Sequence, residues 1–133
     1  ENLVLKKQSA FRNIIKTNIA PLPGVDSFLK WAKNNTDFHL TIASSGSKKN
    51  VLHCLSQLNY LPFFEHIICG DEVKAGKPNP EIFFFFLNLY NFSTSEALIF
   101  EDSQSGFEAS IAAEIDYFDA NQNLWKSLMK SAK

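Results

Sequence analysis

Three short polar segments, each directly after an apolar run, contain the residues of this chain that are best suited to chemistry. They are the segments 44–47 (Ser-Ser-Gly-Ser), 76–80 (Gly-Lys-Pro-Asn-Pro) and 101–103 (Glu-Asp-Ser). Hydroxyl and backbone N–H groups ahead of a helix, as at 44–47, are typical of an anion site. Lys77, which Pro78 holds in an extended segment, could present its ammonium to a phosphate. Glu101 and Asp102 are adjacent carboxylates, and a hard cation such as magnesium would relieve their repulsion.

Each segment also has a purely structural interpretation. Segment 44–47 could be a plain turn in which Ser47 caps a helix, and short motifs of this kind often arise by chance. Lys77 could be a solvated surface lysine, which is the interpretation we favour for Lys74. Asp102 or Ser103 could cap the next helix while Glu101 stays in water. Such a cap explains only one of the two acids.

The apolar pattern predicts the elements that position these segments. Short apolar or β-branched runs predict strands at 38–44, 66–70, 97–100 and 116–120. Helical periodicity and capping residues predict helices at 1–17, 25–35, 47–58, 79–90, 104–113 and 124–129. Alternating strands and helices indicate an α/β fold, a Rossmann-like parallel sheet with helices on both faces. Ligands of such sheets bind beyond the carboxyl ends of the strands, where all three polar segments fall.

Composition narrows the classes of partner. The chain has 133 residues, is 45% hydrophobic and carries a formal net charge of −1, so we expect one domain and no nucleic-acid partner. No apolar run approaches the roughly 20 residues that cross a bilayer. We interpret Cys54 and Cys69 as reduced thiols, although a single bridge between them is an alternative. The segment Glu1–Gln8 lacks the apolar core of a secretory signal, and we expect a cytoplasmic protein.

Taken together, the three segments resemble the last three motifs of the haloacid dehalogenase-like superfamily. The match consists of Ser44 after an apolar strand, then Gly76-Lys77-Pro78-Asn79-Pro80, then Glu101-Asp102-Ser103 with Gly106. The β-phosphoglucomutase-like and sugar-phosphatase branch is the most similar. The resemblance covers about residues 21–118, and it implies a core at 21–133 with residues 1–20 as the remnant of a helical cap.

The resemblance implies a role for each candidate residue. Ser44 would bind the transferring phosphoryl group with help from the backbone of Ser45 and Gly46, and Lys77 would neutralise charge on the phosphate and the nucleophile. The metal Mg²⁺ would be held by Glu101 and Asp102. The rest of a small phosphorylated metabolite would contact Ser47, Lys48 and Asn50. The implied reaction is phosphoryl transfer through an aspartyl-phosphate.

One part of the family pattern is missing from this chain. The nucleophile motif Asp-X-Asp-X-Thr/Val does not occur, and the strand that carries it would lie between the strands ending at Ser44 and Asp102. Its absence would leave a gap of about two strand spacings, ~9–10 Å. We therefore expect the chain to be inactive alone and to need the missing N-terminal segment or a second subunit. The alternative is a non-catalytic binding protein that kept the fold.

Two local departures also carry expectations. Where the family has Ala-Gly at a helix end, this chain has Ala113-Glu114, so we expect a strained or different cap there. Residues 83–86 are four consecutive phenylalanines in a predicted helix, so at least one should face outward. Deep burial of the helix and an exposed contact patch are equally acceptable explanations of that run.

Overall fold

The computed structural model describes residues 19–123 and 125–131. Its strands are β1 (Thr41–Ser44), β2 (His66–Cys69), β3 (Leu98–Glu101) and β4 (Asp116–Asp119). Its helices are α1 (Val25–Asn35), α2 (Lys48–Gln57), α3 (Glu81–Tyr90), α4 (Gln104–Ala112) and α5 (Trp125–Ser131). The helix predicted at 1–17 lies outside the described residues, as does nearly all of the predicted cap remnant.

The strands form two separate parallel pairs. β1 pairs with β2 from Thr41–His66 to Ser44–Cys69, and β3 pairs with β4 from Leu98–Asp116 to Glu101–Asp119. No ladder joins β1 to β3 among the described residues. The predicted parallel α/β fold is confirmed, and the break falls where the sequence predicted that a central strand is missing.

Helices hold the two strand pairs together. On one face, α1 spans both pairs, because Phe28 packs on Phe100 of β3 with ring centroids 5.1 Å apart and Leu29 belongs to the buried cluster against which Ile42 of β1 packs. On the other face, the buried residues of α3 and α4 form one cluster that contacts Ala43 of β1 and Ile99 of β3. Apolar packing therefore supplies the cohesion that backbone hydrogen bonds supply in a continuous sheet.

The strands that face the break are only partly covered. Ile42, Ala43, Ile99 and Phe100 are all half-buried. The inner strands of parallel sheets are normally buried on both faces, because helices cover the sheet from each side. Half-burial at these positions agrees with a sheet that is open between β1 and β3.

The exposure of several large apolar side chains can be compared with the predictions from the sequence. Two of the four consecutive phenylalanines, Phe84 and Phe85, are exposed, while Phe83 is buried, so the prediction that at least one faces outward is confirmed. Helical spacing in the sequence places Val51, Leu52, Leu55 and Leu58 on one apolar face of α2, but Leu52 is exposed. Phe38 was predicted in a strand and lies exposed ahead of β1. No helix in the described ranges is long and apolar enough to span a membrane.

Three helices end in the same hydrogen-bonded motif, and one of them has an ill-suited residue. Asn59, Asn91 and Glu114 each adopt a left-handed backbone conformation, at φ 57°, 54° and 56°. In the third case, Glu114 N–H donates to Ile111 O at 3.0 Å and Ile115 N–H donates to Ser110 O at 3.1 Å, as in a Schellman cap. Asparagine tolerates this conformation better than glutamate does. Of the two expectations for this cap, strained or differently built, the structure supports the strained one, because the Schellman bonds are present and Glu114 takes the left-handed position.

Replacing Glu114 by glycine should therefore stabilise the chain. We expect Glu114→Gly to raise the free energy of unfolding by about 1 kcal/mol, because glycine removes the steric cost of the left-handed backbone. Urea unfolding followed by circular dichroism measures the change. Glu114→Ala is the matched control, since it removes the charge and keeps the Cβ atom. An equal gain in both variants would show that the charge, and not the backbone, is responsible.

Candidate functional site

A buried lysine joins the carboxyl ends of β1 and β3. The Lys77 ammonium donates to the carbonyl of Ala43 at 2.8 Å and forms an ion pair with Oε1 of Glu101. The Lys77 side chain is 5% exposed and the Glu101 side chain 8% exposed. The alternatives of a solvated Lys77 and a solvated Glu101 are therefore wrong. Lys77 lies at the edge of the break between the strand pairs, beside the residue that precedes Ser44.

The loop that carries Lys77 is fixed by the first turn of α3. The carboxylate of Glu81 accepts the backbone N–H groups of Lys74 at 3.1 Å and Ala75 at 3.0 Å. The negative charge of Glu81 also suits the N-terminus of a helix. The Lys77 ammonium lies 5.2 Å from the ring centroid of Phe83. These contacts orient Lys77 towards the strand ends, whereas the neighbouring Lys74 is exposed, as predicted.

Glu101 is held on both of its oxygens. Oε1 pairs with Lys77, and Oε2 accepts the Ser103 hydroxyl at 3.3 Å. Ser103 in turn caps α4, because its Oγ accepts the Gly106 N–H at 3.2 Å. A Cβ atom on Gly106 would overlap the Glu101 carboxylate, so glycine is required for this close approach. The Glu101 carboxylate thus lies between Lys77 and the first turn of α4, in contact with both.

Asp102 differs from its neighbour. Ser103 is the cap of α4, so capping does not explain Asp102. Its backbone carbonyl accepts the Asn121 side-chain amide at 3.1 Å, and its side chain is exposed. Within residues 19–123 and 125–131, no group bonds to its carboxylate. Asp102 therefore presents a free anionic oxygen donor at the end of β3, beside the buried Glu101.

The loop after β2 packs against the loop after β1 and forms a backbone hydrogen bond with it. Ser44 Oγ accepts the Gly46 N–H at 3.1 Å, and the Gly70 N–H donates to the Gly46 carbonyl at 3.1 Å. A Cβ atom on Gly70 would lie 2.5 Å from the Ser45 carbonyl oxygen. Ser47 caps α2, as predicted, by accepting the Asn50 N–H at 3.4 Å. Ser44, Ser45 and Gly46 are thus held in one rigid turn at the site.

Lys48 is engaged by the protein itself. Its backbone N–H donates to both carboxylate oxygens of Asp71 at 3.1 Å. Its ammonium donates to the carbonyl of Ile67 and pairs with Glu72 at 3.2 Å. The structure therefore does not bring the Lys48 side chain to the Lys77–Glu101 pair. The N-terminus of α2, which the sequence indicated as an anion site, already has a carboxylate partner.

Sequence reasoning missed Gly70 and Asp71, which position the loop at 44–48. Both directly follow β2, so their place at a strand end was the available signal. Nothing in the sequence indicated that Gly70 would pack against Ser45 or that Asp71 would reach the start of α2. Such contacts link residues more than twenty positions apart in the chain.

One further cluster has the composition of a metal site. Ligand atoms of Cys69, Asp71 and Glu72 lie within 4.8 Å of one another, the only such group in the described part of the chain. Glu72 accepts the Cys69 N–H at 2.9 Å, and Lys48 pairs with the same carboxylate. Burial raises the pKa of the Cys69 thiol to about 11, so the metal-free thiol is protonated near neutral pH. The cluster is a hydrogen-bonded turn.

Neither Cys54 nor Cys69 forms a disulfide bond, as the interpretation of reduced thiols predicted.

Comparison with known proteins places the chain in a family. The sequence profile of the haloacid dehalogenase-like hydrolases matches residues 2–120. A phosphorylated carbohydrates phosphatase of Thermotoga maritima is 34% identical over 111 residues, which are 84% of this chain and 49% of that protein. This chain therefore spans about half the length of that relative.

Solved structures give the same assignment. A candidate beta-phosphoglucomutase of Thermotoga maritima superposes with a TM-score of 0.72 at 26% identity, covering 84% of this chain and 60% of that one. A mutant form of CbbY from Rhodobacter sphaeroides, in complex with xylulose-(1,5)bisphosphate, gives a TM-score of 0.78 at 25% identity, covering 86% and 52%. The chain belongs to the haloacid dehalogenase-like hydrolase family.

Proposed function

We propose that this chain supplies the phosphate-binding and metal-binding half of a magnesium-dependent phosphoryl-transfer site in the cytoplasm. The observation that carries the proposal is the buried Lys77 ammonium between the carboxyl ends of β1 and β3. Burying a cation is costly unless it has anionic partners, and sites with such an arrangement are frequently functional. Lys77 bonds the Ala43 carbonyl and the Glu101 carboxylate, and Ser44 and Asp102 are the next residues of the same two strand ends. A hydroxyl, an ammonium and carboxylates are the groups that phosphoryl transfer needs.

Ser44 and Lys77 would bind the transferring group. The Ser44 oxygen is fixed because it accepts the Gly46 N–H, and its own hydroxyl proton stays available to donate to a phosphoryl oxygen. The Lys77 ammonium would stabilise negative charge on that group and on the attacking carboxylate. The backbone of Ser45 and Gly46 would line the phosphate site beside Ser44. Ser47, Lys48 and Asn50 would lie nearer the rest of the substrate, once Lys48 exchanges its present partners.

The acids at the end of β3 suit a magnesium ion in their chemistry. Glu101 and Asp102 are hard oxygen donors, and the Asp102 carboxylate is exposed with no bonded partner in the described ranges. Magnesium prefers six oxygen ligands, so water, substrate and a further segment would complete the set. When bound, the ion supplies positive charge opposite the phosphoryl oxygens.

The nucleophile would come from a strand between β1 and β3. Both strands are half-buried and unpaired with each other, and Lys77 lies at the carboxyl end of this space. An aspartate at the end of such a strand would attack phosphorus while the bond from phosphorus to the substrate oxygen breaks, and that oxygen would take a proton from water or from an acid of the same segment to leave as an alcohol. Water would then hydrolyse the aspartyl-phosphate. We propose an N-terminal segment of the longer protein as the source of this strand, with a second subunit as the other possible source.

The substrate class follows from the relatives. The phosphatase of Thermotoga maritima acts on phosphorylated carbohydrates, and the CbbY structure holds a sugar bisphosphate. We propose a small phosphorylated carbohydrate as the substrate of the whole protein. The alternative function is a non-catalytic binding protein, and the observation that favours it is the absence of Asp-X-Asp from these 133 residues.

The purified chain should not turn over phosphate esters. We expect no phosphate release above buffer from p-nitrophenyl phosphate or β-glucose-1-phosphate in the presence of Mg²⁺, because no carboxylate nucleophile is available to attack phosphorus. A malachite green assay measures the release. Phosphate release by the wild-type chain that is lost on Lys77→Ala would contradict the proposed division of the site.

The coding sequence upstream of Glu1 should contain an Asp-X-Asp-X-Thr/Val segment. We expect the protein extended to include it to release phosphate from sugar phosphates, and we expect its first aspartate to be essential. The control is the Asp→Asn variant of that residue, which keeps the shape and removes the nucleophile. A start codon near Glu1 with no such segment would instead support the non-catalytic alternative.

A further inference from the structure

The ion pair at the centre of the site engages a proposed metal ligand. Lys77 pairs with Oε1 of Glu101, and Ser103 donates to Oε2. The side of Glu101 that faces α4 is closed by Gly106, which leaves no room for a Cβ atom. A divalent cation that approached Glu101 would therefore meet an ammonium already bound to the same carboxylate. Two cations on one buried carboxylate repel strongly, because little water screens them.

Asp102 has no such restriction. Its carboxylate is exposed and without a bonded partner among the described residues. The two acids are adjacent in sequence but differ in availability. A metal ion could contact Asp102 in the chain as it stands, whereas contact with Glu101 requires Lys77 to shift towards another acceptor.

The geometry also indicates which acceptor that would be. Lys77 lies at the carboxyl end of the space between β1 and β3, where it bonds the Ala43 carbonyl. A carboxylate placed at the end of a strand in that space would offer the ammonium a second anionic partner. Its attraction to Lys77 would weaken the hold on Glu101 and free an oxygen for the metal.

We infer that Lys77 keeps Glu101 from binding metal until a carboxylate docks between β1 and β3. Metal binding and docking of the nucleophile segment are then coupled, and each favours the other by the same factor. This inference rests on the proposed function, because it takes Glu101 and Asp102 as the metal ligands. It adds a sequence of events, in which the nucleophile segment docks first and Glu101 then becomes available to the metal.

The first experiment removes the ammonium. Mn²⁺ binding to the 133-residue chain is measured by electron paramagnetic resonance, which counts free Mn²⁺ directly. We expect Lys77→Met to tighten Mn²⁺ binding by about tenfold over the wild-type chain, a typical coupling between two sites. Lys74→Met is the matched control for net charge, because Lys74 is exposed and lies in the same loop. The double variant Lys77→Met with Glu101→Gln should lose the gain.

The second experiment keeps the Lys77–Glu101 pair intact, since removing either partner leaves the other buried without its counter-charge and can unfold the chain. In the wild-type background, Asp102→Asn should abolish Mn²⁺ binding, because Asp102 is the acid that a metal ion can reach while Lys77 holds Glu101. Circular dichroism confirms that each variant is folded. Mn²⁺ binding that survives Asp102→Asn would mean that Glu101 already binds metal beside Lys77, which overturns the inferred order and leaves the metal site standing. Absence of Mn²⁺ binding in every variant would overturn the inference together with the metal assignment itself.

Discussion

The buried contact between Lys77 and Glu101 is the interaction on which the arrangement of this chain depends most. An ammonium that is 5% exposed has lost nearly all of its hydration, so it must be compensated by the Ala43 carbonyl and a carboxylate. These two partners belong to β1 and β3, which share no ladder in the described part of the chain. The same ammonium therefore joins the two strand pairs at their carboxyl ends.

Elsewhere in the described residues, apolar packing joins the two strand pairs. Phe28 of α1 packs on β3, its neighbour Leu29 belongs to the cluster that contacts β1, and α3 and α4 pack across the opposite face. This packing leaves the facing edges of β1 and β3 without hydrogen-bond partners from each other. Unpaired strand edges attract further strands, so the same feature that weakens the sheet makes it receptive to an added strand.

Local signals in the sequence were sufficient for the elements, and contacts between distant segments were not. Strand and helix positions follow from apolar periodicity and from caps such as Ser47, which act within a few residues. The pairing of Lys77 with Glu101 spans 24 positions, and its burial could not be seen from residue types alone. Local patterns also have a limit, which Leu52 shows. Helical spacing placed it on an apolar face, but the spacing alone did not specify that this leucine would be exposed to solvent.

The positive groups that follow β1 and β2 share one property, which is that each already has a carboxylate partner in the chain. Lys77 is paired with Glu101, Lys48 with Glu72, and the N-terminus of α2 with Asp71. Each of these positive groups would have to exchange an internal carboxylate for a phosphoryl oxygen, so the net electrostatic gain on binding is smaller than the charges alone suggest. Additional positive charge at Asp102, or a competing carboxylate beside Lys77, would shift that balance. The charges at these strand ends are thus satisfied internally, and binding of phosphate there, as proposed, would depend on what else is bound.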